Sequence, residues 1–226
     1  MHFRGGRAAV DHKTYPEMEA FYADLARVYT EEVLAFAAAG CRYLQIDEVN
    51  FAFLCDPKLR EQVRTTIGED PNTLPHTYAG LINASIHGKP DDMVVCLHLC
   101  RGNAQSSWLA EGGYDPVAEV LFNDVAVDGY FLEYDTPRAG SLEPLRFVPK
   151  GKMVVLGLVT SKIGTLETKD ALKRRIDEAA RYCPLDQLAL SPQCGFASAA
   201  PGNKISFEDE VRKLRLVVET AREVWG

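Results

Sequence analysis

The chain has 226 residues and a formal charge of −7, from 25 basic and 32 acidic side chains. Its length fits one large domain or two small ones, at roughly 100–200 residues per domain. The composition, 46% hydrophobic and 25% charged, excludes a disordered chain, a collagen-like chain and a disulfide-stabilised miniprotein. The acidic balance argues against a general nucleic-acid-binding protein, because phosphate binding requires a surplus of lysine and arginine.

Residues 1–7 contain no apolar segment of the kind that a signal peptide requires. The sequence also has no run of about 18 apolar residues that would span a membrane. We therefore predict a cytoplasmic protein without a membrane or nucleic-acid partner. In such a protein, scattered cysteines are expected to be core residues, metal ligands or nucleophiles rather than disulfides. The six cysteines are Cys41, Cys55, Cys96, Cys100, Cys183 and Cys194.

The hydrophobic pattern predicts short apolar strands that alternate with helices. The predicted strands cover residues 43–47, 93–98, 129–133, 153–159 and 187–190. The predicted helices cover 16–39, 56–87 as two helices broken around Pro71 and Pro75, then 116–122, 168–182 and a last helix. The last helix is expected to begin after Ser206, a residue type that caps helix N-termini, with Asp209 three residues later.

Apolar residues spaced by three and four positions predict the buried face of each long helix. These faces are Met18, Phe21, Leu25 and Val28 in the first helix, Leu172, Ile176 and Ala179 in the helix at 168–182, and Val211, Leu214, Val218 and Ala221 in the last. The strands are apolar throughout, which predicts a parallel sheet covered on both faces.

Two architectures fit such a sheet: an open doubly wound sheet and a (β/α)8 barrel. No Gly-x-Gly-x-x-Gly motif follows the first strand, which disfavours a dinucleotide-binding open sheet. Polar residues instead follow several strands in turn, as in a barrel, where active sites are built at the strand C-termini. We therefore predict a single domain over residues 1–226 of (β/α)8 TIM-barrel type.

The strongest local signal is His98-Leu99-Cys100 at the end of the second strand. Side chains two residues apart on a strand point the same way, so His98 and Cys100 can reach one ion together. Imidazole and thiolate are both zinc ligands. Chance or core packing is the alternative, and Cys96 is expected to pack in the core.

Glu133 and Cys194 are two further donor candidates near strand ends. Each has an alternative, since Glu133 could pair with Arg138 and Cys194 could be a small core residue in a tight turn. Four ligand-type residues at three ends of one parallel sheet nevertheless favour a common metal site.

Four segments, at 44–48, 98–103, 131–133 and 191–195, resemble the catalytic domain of cobalamin-independent methionine synthase, most closely its shorter single-domain relatives. The resemblance extends over essentially the whole chain, from Phe3 to the last helix. It implies a (β/α)8 barrel that transfers a methyl group from a folate to the sulfur of homocysteine. The implied zinc ligands are His98, Cys100, Glu133 and Cys194. Asp47 matches the aspartate that binds the substrate's amino group in this family.

Zinc makes chemical sense at such a site, because thiolate is the nucleophile and zinc binding deprotonates a thiol. A carboxylate is the least soft of the four donors, so we expect Glu133 to yield when the substrate sulfur arrives.

Besides Asp47, the residues Glu48, Arg101 and Asn103 are candidates for substrate binding. Solvent exposure is the alternative for Arg101 and Asn103. The Asp47–Glu48 pair could instead cap the following turn or lie in water.

The sequence departs from the family at Lys162, where methionine synthases carry the histidine of an Asp-x-His motif that gives a proton to the departing folate. A lysine acts as a general acid when burial or a neighbouring cation eases its loss of a proton. The alternative is a solvated loop lysine. The sequence therefore indicates a thiol as the methyl acceptor more strongly than it indicates methyltetrahydrofolate as the methyl donor.

Length is the second departure. The five strands and their helices take about 37 residues per unit, so eight units would need close to 300 residues, against about 250 in a typical barrel. The chain therefore resembles the last five units of a barrel, and we expect it to be N-terminally incomplete. An open five-stranded sheet exposes an apolar edge, which a second copy of the chain could cover as a homo-oligomer.

The leading hypothesis is a zinc-dependent thiol methyltransferase that acts on homocysteine or a similar thiol. One alternative is a partial zinc-binding fragment without a complete substrate pocket. A zinc thiol-alkyltransferase that uses a different electrophile is another. A zinc hydrolase or lyase is disfavoured, because two thiolates make zinc a poor activator of water.

Overall fold

The computed structural model describes residues 5–226. Phe3 and Arg4, where the family resemblance begins, lie outside this range. One sheet contains β1 (Tyr43–Glu48), β2 (Val94–Leu99), β3 (Gly129–Glu133), β4 (Met153–Val159) and β5 (Leu188–Pro192). Neighbouring strands are all parallel and follow chain order. All five predicted strands are confirmed, β3 and β4 with unchanged bounds.

The connection from β3 to β4 contains only the 3₁₀ helices Pro137–Ala139 and Glu143–Phe147, whereas α-helices precede β1, make the other connections and follow β5, as in a barrel. The α-helices are α1 (Met18–Ala38), α2 (Asn50–Phe53), α3 (Pro57–Gln62), α4 (Leu74–Ser85), α5 (Ala118–Asp124), α6 (Lys169–Ala179) and α7 (Phe207–Trp225). The α7 N-terminus has the predicted capping box of Ser206 and Asp209. The predicted break around Pro71 is confirmed, since α4 begins only at Leu74. Pro75 was also predicted to lie at the break, but it lies in the first turn of α4, where proline needs no intrahelical partner. The fold is therefore α/β of barrel type with five parallel strands, four of which are followed by α-helices.

The two faces of the sheet differ. On the outer face, strand side chains such as Leu97, Leu132 and Leu156 join the helices in one buried core. On the inner face Tyr43, Val94 and Met153 are 53%, 43% and 38% exposed. The expectation of cover on both faces is wrong for this inner face, because five strands do not close on themselves. Within residues 5–226, neither β1 nor β5 has a strand on its outer edge.

The predicted helix faces are confirmed only where helices lie against the middle of the sheet. Leu172, Ile176 and Ala179 of α6 are buried. In α1 the buried residues are instead Ala26, Val33 and Ala37, whereas Val28 is exposed. In α7 they are Lys213, Leu216 and Thr220, whereas Leu214 and Val218 are exposed. None of the helices among the described residues is long and apolar enough to cross a membrane.

Candidate metal centre

Four side chains meet at the C-terminal end of the sheet. One ligand atom from each of His98, Cys100, Glu133 and Cys194 lies within 4.8 Å of the other three. These are the four residues singled out in the sequence, and the fold brings them together although Cys100 and Cys194 are 94 positions apart.

Parallel strand ends explain the convergence. His98 lies on β2, and Cys100 is the first residue after that strand. Glu133 is the last residue of β3. Cys194 follows β5 by two residues and has a φ of 47°, in the left-handed region. Its loop is held by Asn103, whose Nδ2 donates to Gly195 O at 2.9 Å.

The donor set and its spacing fit a tetrahedral metal ion. Cys100 Sγ lies 3.4 Å from Cys194 Sγ, and His98 Nε2 lies 3.6 Å from Glu133 Oε1. Around a tetrahedral ion with bonds of about 2.0–2.3 Å, neighbouring ligand atoms are about 3.3–3.8 Å apart. One imidazole, two thiols and a carboxylate, a donor set typical of zinc, are thus close to the required arrangement.

Glu133 is 1% exposed but surrounded by donors and cations. Burial alone would raise its pKa, but the His98 hydrogen bond, the charge of Lys162 and the hydrogen bond from Gln193 lower the pKa to about 2. Arg138 adds a contact from its Nη2 to Glu133 Oε2 at 3.3 Å. The Glu133 carboxylate is therefore ionised, the form that binds metals.

His98 and the two thiols also perturb one another. Burial lowers the pKa of His98, but hydrogen bonds to Asp47 and Glu133 outweigh it and raise this pKa to about 9. The hydrogen bond between the two sulfurs raises the pKa of Cys100 and lowers that of Cys194. A closely spaced thiol pair with one ionisation favoured is a ready metal-binding pair.

Asp47 reaches the centre, whereas Glu48 turns away from it. Asp47 Oδ1 lies 3.1 Å from His98 Nδ1, and its side chain is 66% exposed. Glu48 is buried, and its carboxylate accepts hydrogen bonds from the N–H groups of Asn50 and Phe51 at the start of α2. Burial raises the pKa of Glu48 to about 7. Glu48 therefore takes the turn-capping position that the sequence left as its alternative.

The other candidates occupy different environments. Arg101 is completely buried with its guanidinium over the Tyr114 ring at 4.4 Å, so the alternative of solvent exposure is wrong, and its substrate role stays a prediction. Asn103 uses its amide N–H groups to hold the Cys194 loop, through Gly195 O and Ser198 Oγ. Lys162 is buried, not solvated, and its Nζ has no hydrogen-bond partner among the described residues.

Two residues at the centre were missed in the sequence. Gln193 Nε2 donates to Glu133 Oε2 at 2.7 Å, and Thr160 Oγ1 donates to Gln193 Oε1 at 3.2 Å. The available signal was position, since Thr160 follows β4 and Gln193 precedes Cys194. Neither side chain is ionisable, so a search for ligands and acids passes over both.

Residues 9–223 match the family described as the catalytic domain of cobalamin-independent synthase. The chain belongs to this family. The chain is also 48% identical to the uncharacterised Bacillus subtilis proteins YxjH and YxjG, over 226 and 224 residues. It is 26% identical over 181 residues to a protein of Pyrococcus abyssi named methionine synthase.

Solved structures share this fold. A Listeria monocytogenes protein provisionally named a vitamin-B12-independent methionine synthase matches 93% of this chain with a TM-score of 0.73 and 41% identity. A B12-independent methionine synthase from Shewanella, solved with selenomethionine, matches 93% with a TM-score of 0.67 and 20% identity. The chain spans 59% of YxjH, 58% of YxjG and 57% of the Listeria chain.

Proposed function

We propose that the chain carries the metal and thiol site of a zinc-dependent methyltransferase, which moves a methyl group to the sulfur of homocysteine or a similar thiol and gives methionine from homocysteine. The observation that carries the proposal is the set of four ligand atoms within 4.8 Å at three strand ends. Membership of the synthase family supports methyl transfer as the reaction.

His98, Cys100, Glu133 and Cys194 would hold the ion. When bound, zinc would stabilise the thiolate of the acceptor, which is the nucleophilic form of sulfur. Glu133 is the ligand that we expect to yield to the incoming sulfur, because a carboxylate is the hardest donor of the four. An X-ray absorption spectrum at the zinc edge that is unchanged by homocysteine would contradict this exchange.

Asp47 would bind the amino group of the thiol substrate. Its carboxylate is exposed and lies at the metal end of the sheet, where it also contacts His98 Nδ1. Such a contact fixes the histidine tautomer and directs the other ring nitrogen toward a metal. Asp47 would thus orient both the ligand and the substrate.

Lys162 would give a proton to the methyl donor as the methyl group leaves. Its buried amine follows β4 and attracts the Glu133 carboxylate. A buried, unpartnered amine can serve as a general acid when it reaches the leaving atom. We propose 5-methyltetrahydrofolate as the donor, and a different electrophile is the alternative that the test must separate.

The test measures zinc and methyl transfer in the same preparation. Purified chain is assayed for bound zinc, and methionine is quantified after incubation with homocysteine and 5-methyltetrahydrofolate. We expect stoichiometric zinc and catalytic turnover. Zinc without turnover with this or another methyl donor would favour the partial zinc-binding fragment, which the open inner face and the 57–59% coverage make the second candidate. A chain that binds no zinc would overturn both.

A further inference from the structure

Glu133 is the one carboxylate among the four candidate ligands, and its two oxygens have different contacts. Its Oε1 faces His98 Nε2 at 3.6 Å and accepts a long hydrogen bond from Arg101 N at 3.5 Å. Its Oε2 accepts from Gln193 Nε2 at 2.7 Å and from Arg138 Nη2 at 3.3 Å. The two oxygens therefore have different roles: one is turned toward the other ligand atoms and one is anchored.

The amide of Gln193 is itself oriented by Thr160. The Thr160 hydroxyl accepts from Lys162 N at 3.3 Å and donates to Gln193 Oε1 at 3.2 Å. With the carbonyl oxygen engaged, the NH2 group of Gln193 points toward Glu133. The direction of each hydrogen bond in this chain of groups is thereby fixed.

The backbone supports the same arrangement. Gln193 N donates to Val159 O at 2.8 Å, and Thr160 N donates to Glu167 Oε1 at 2.9 Å. A Cβ at Gly157 would lie 3.3 Å from Gln193 Cα and 2.9 Å from Leu132 O, so the absence of a side chain there permits the close approach. Gln193 is 1% exposed, which keeps water from competing for its amide.

We propose that Gln193, oriented by Thr160, is the positioning residue that presents Glu133 to the metal through Oε1 alone. This inference rests on the proposed function and deepens it. Glu133 Oε2 is held by a short side-chain hydrogen bond, whereas Oε1 accepts a longer one from Arg101 N at 3.5 Å and faces His98. The carboxylate can therefore bind with Oε1 and leave the metal without losing its place in the fold. Outer contacts of this kind commonly contribute about 10- to 100-fold in metal affinity.

The test compares Gln193→Leu with Gln187→Leu. Both glutamines are buried, and Gln187 Nε2 donates to Pro149 O and Lys152 O at the opposite end of the sheet. Each change removes a buried amide, but only Gln193 contacts a ligand. The readouts are the zinc dissociation constant, measured by chelator competition, and the visible absorption of the Co2+-loaded chain.

We expect Gln193→Leu to weaken zinc binding about 10- to 100-fold and to alter the cobalt spectrum, whereas Gln187→Leu changes neither. Thr160→Val should weaken zinc binding less than Gln193→Leu does, and Thr160→Ser, which keeps the hydroxyl, should bind zinc as the wild type does. In a Gln193→Leu background, Thr160→Val should weaken zinc binding little further, because Thr160 and Gln193 both act through the hydrogen bond from Gln193 to Glu133.

Wild-type zinc affinity together with an unchanged cobalt spectrum in Gln193→Leu would overturn the role of Gln193 and leave the proposed function standing. Equal losses in Gln193→Leu and Gln187→Leu would also overturn it, as a general packing effect. A wild-type chain that binds zinc but transfers no methyl group would refute the proposed activity. The role of Gln193 would then still be decided by the zinc affinities of the two glutamine variants. A wild-type chain without zinc would refute both.

Discussion

Cys100 Sγ and Cys194 Sγ lie 3.4 Å apart, although 94 positions separate them in the chain. The contact joins the end of β2 to the loop after β5, two strands that do not pair with each other. Because each sulfur is one corner of the proposed site, loss of either should remove the metal rather than reduce its affinity slightly.

We predict that Cys194→Ala abolishes stoichiometric zinc binding while the fold persists. Removing one of two thiolates takes away a main source of zinc affinity. Cys183→Ala is the matched control, since Cys183 is a buried free cysteine outside the cluster. Metal content by mass spectrometry and circular dichroism check the result. Full zinc occupancy in Cys194→Ala would separate this cysteine from the site.

Asp47→Asn should raise the KM for homocysteine about 10-fold or more, since a hydrogen bond to a charged group contributes roughly 1.5–3 kcal/mol. The control is 4-mercaptobutanoate, which has the same thiol but lacks the amino group, and whose KM should change much less. Equal changes in KM for the two thiols would indicate that Asp47 acts only on His98, through the 3.1 Å contact with its Nδ1. An unchanged KM for homocysteine would remove the substrate role.

The ligands could be predicted because alternation along a strand and parallel strand ends determine where His98, Cys100 and Glu133 point. The faces of α1 and α7 could not, because they depend on which neighbours lie beside them. Leu214 and Val218 have core-like spacing, yet in the described structure they are exposed, and α7 buries Lys213, Leu216 and Thr220 instead. The burial of Arg101 depends on its neighbours in the same way: one residue beyond Cys100, its side chain turns into the core against Tyr114.

Lys162→Arg separates proton transfer from charge. Arginine keeps the positive charge near Glu133 but does not release a proton in proteins. If Lys162 is the general acid, we expect Lys162→Arg to lower kcat by about 100-fold or more, with zinc content unchanged. The measurement is steady-state methionine formation, with zinc determined on the same samples. Near wild-type kcat in Lys162→Arg would exclude the proton-donor role.

Glu48 should make stability depend on pH. Burial raises its pKa in the folded chain to about 7, from an ordinary value of 4.5. The folded state therefore holds the proton more tightly, and the free energy of unfolding falls as pH rises from about 4.5 to 7. Glu48→Gln removes this loss. We expect the Tm difference between Glu48→Gln and wild type to be more positive at pH 8 than at pH 5. A Tm difference that does not depend on pH would contradict the assignment.

The exposed face of α7 should mediate self-association. Phe207, Leu214 and Val218 are 74%, 42% and 48% exposed on one side of α7. The helix itself packs against β5, whose outer edge has no strand partner in residues 5–226. An apolar face next to an open strand edge favours pairing with another chain, and we propose that a second copy covers it.

Sedimentation velocity over a concentration series should therefore show a species larger than the monomer. The double change Leu214→Lys and Val218→Lys should return the chain to a monomer, because two charges on the covered face oppose its burial. Leu166→Lys is the control, since Leu166 is 41% exposed in the loop before α6 and should leave association unchanged. A wild-type chain that stays monomeric throughout, or equal effects of both sets of changes, would exclude α7 as the interface.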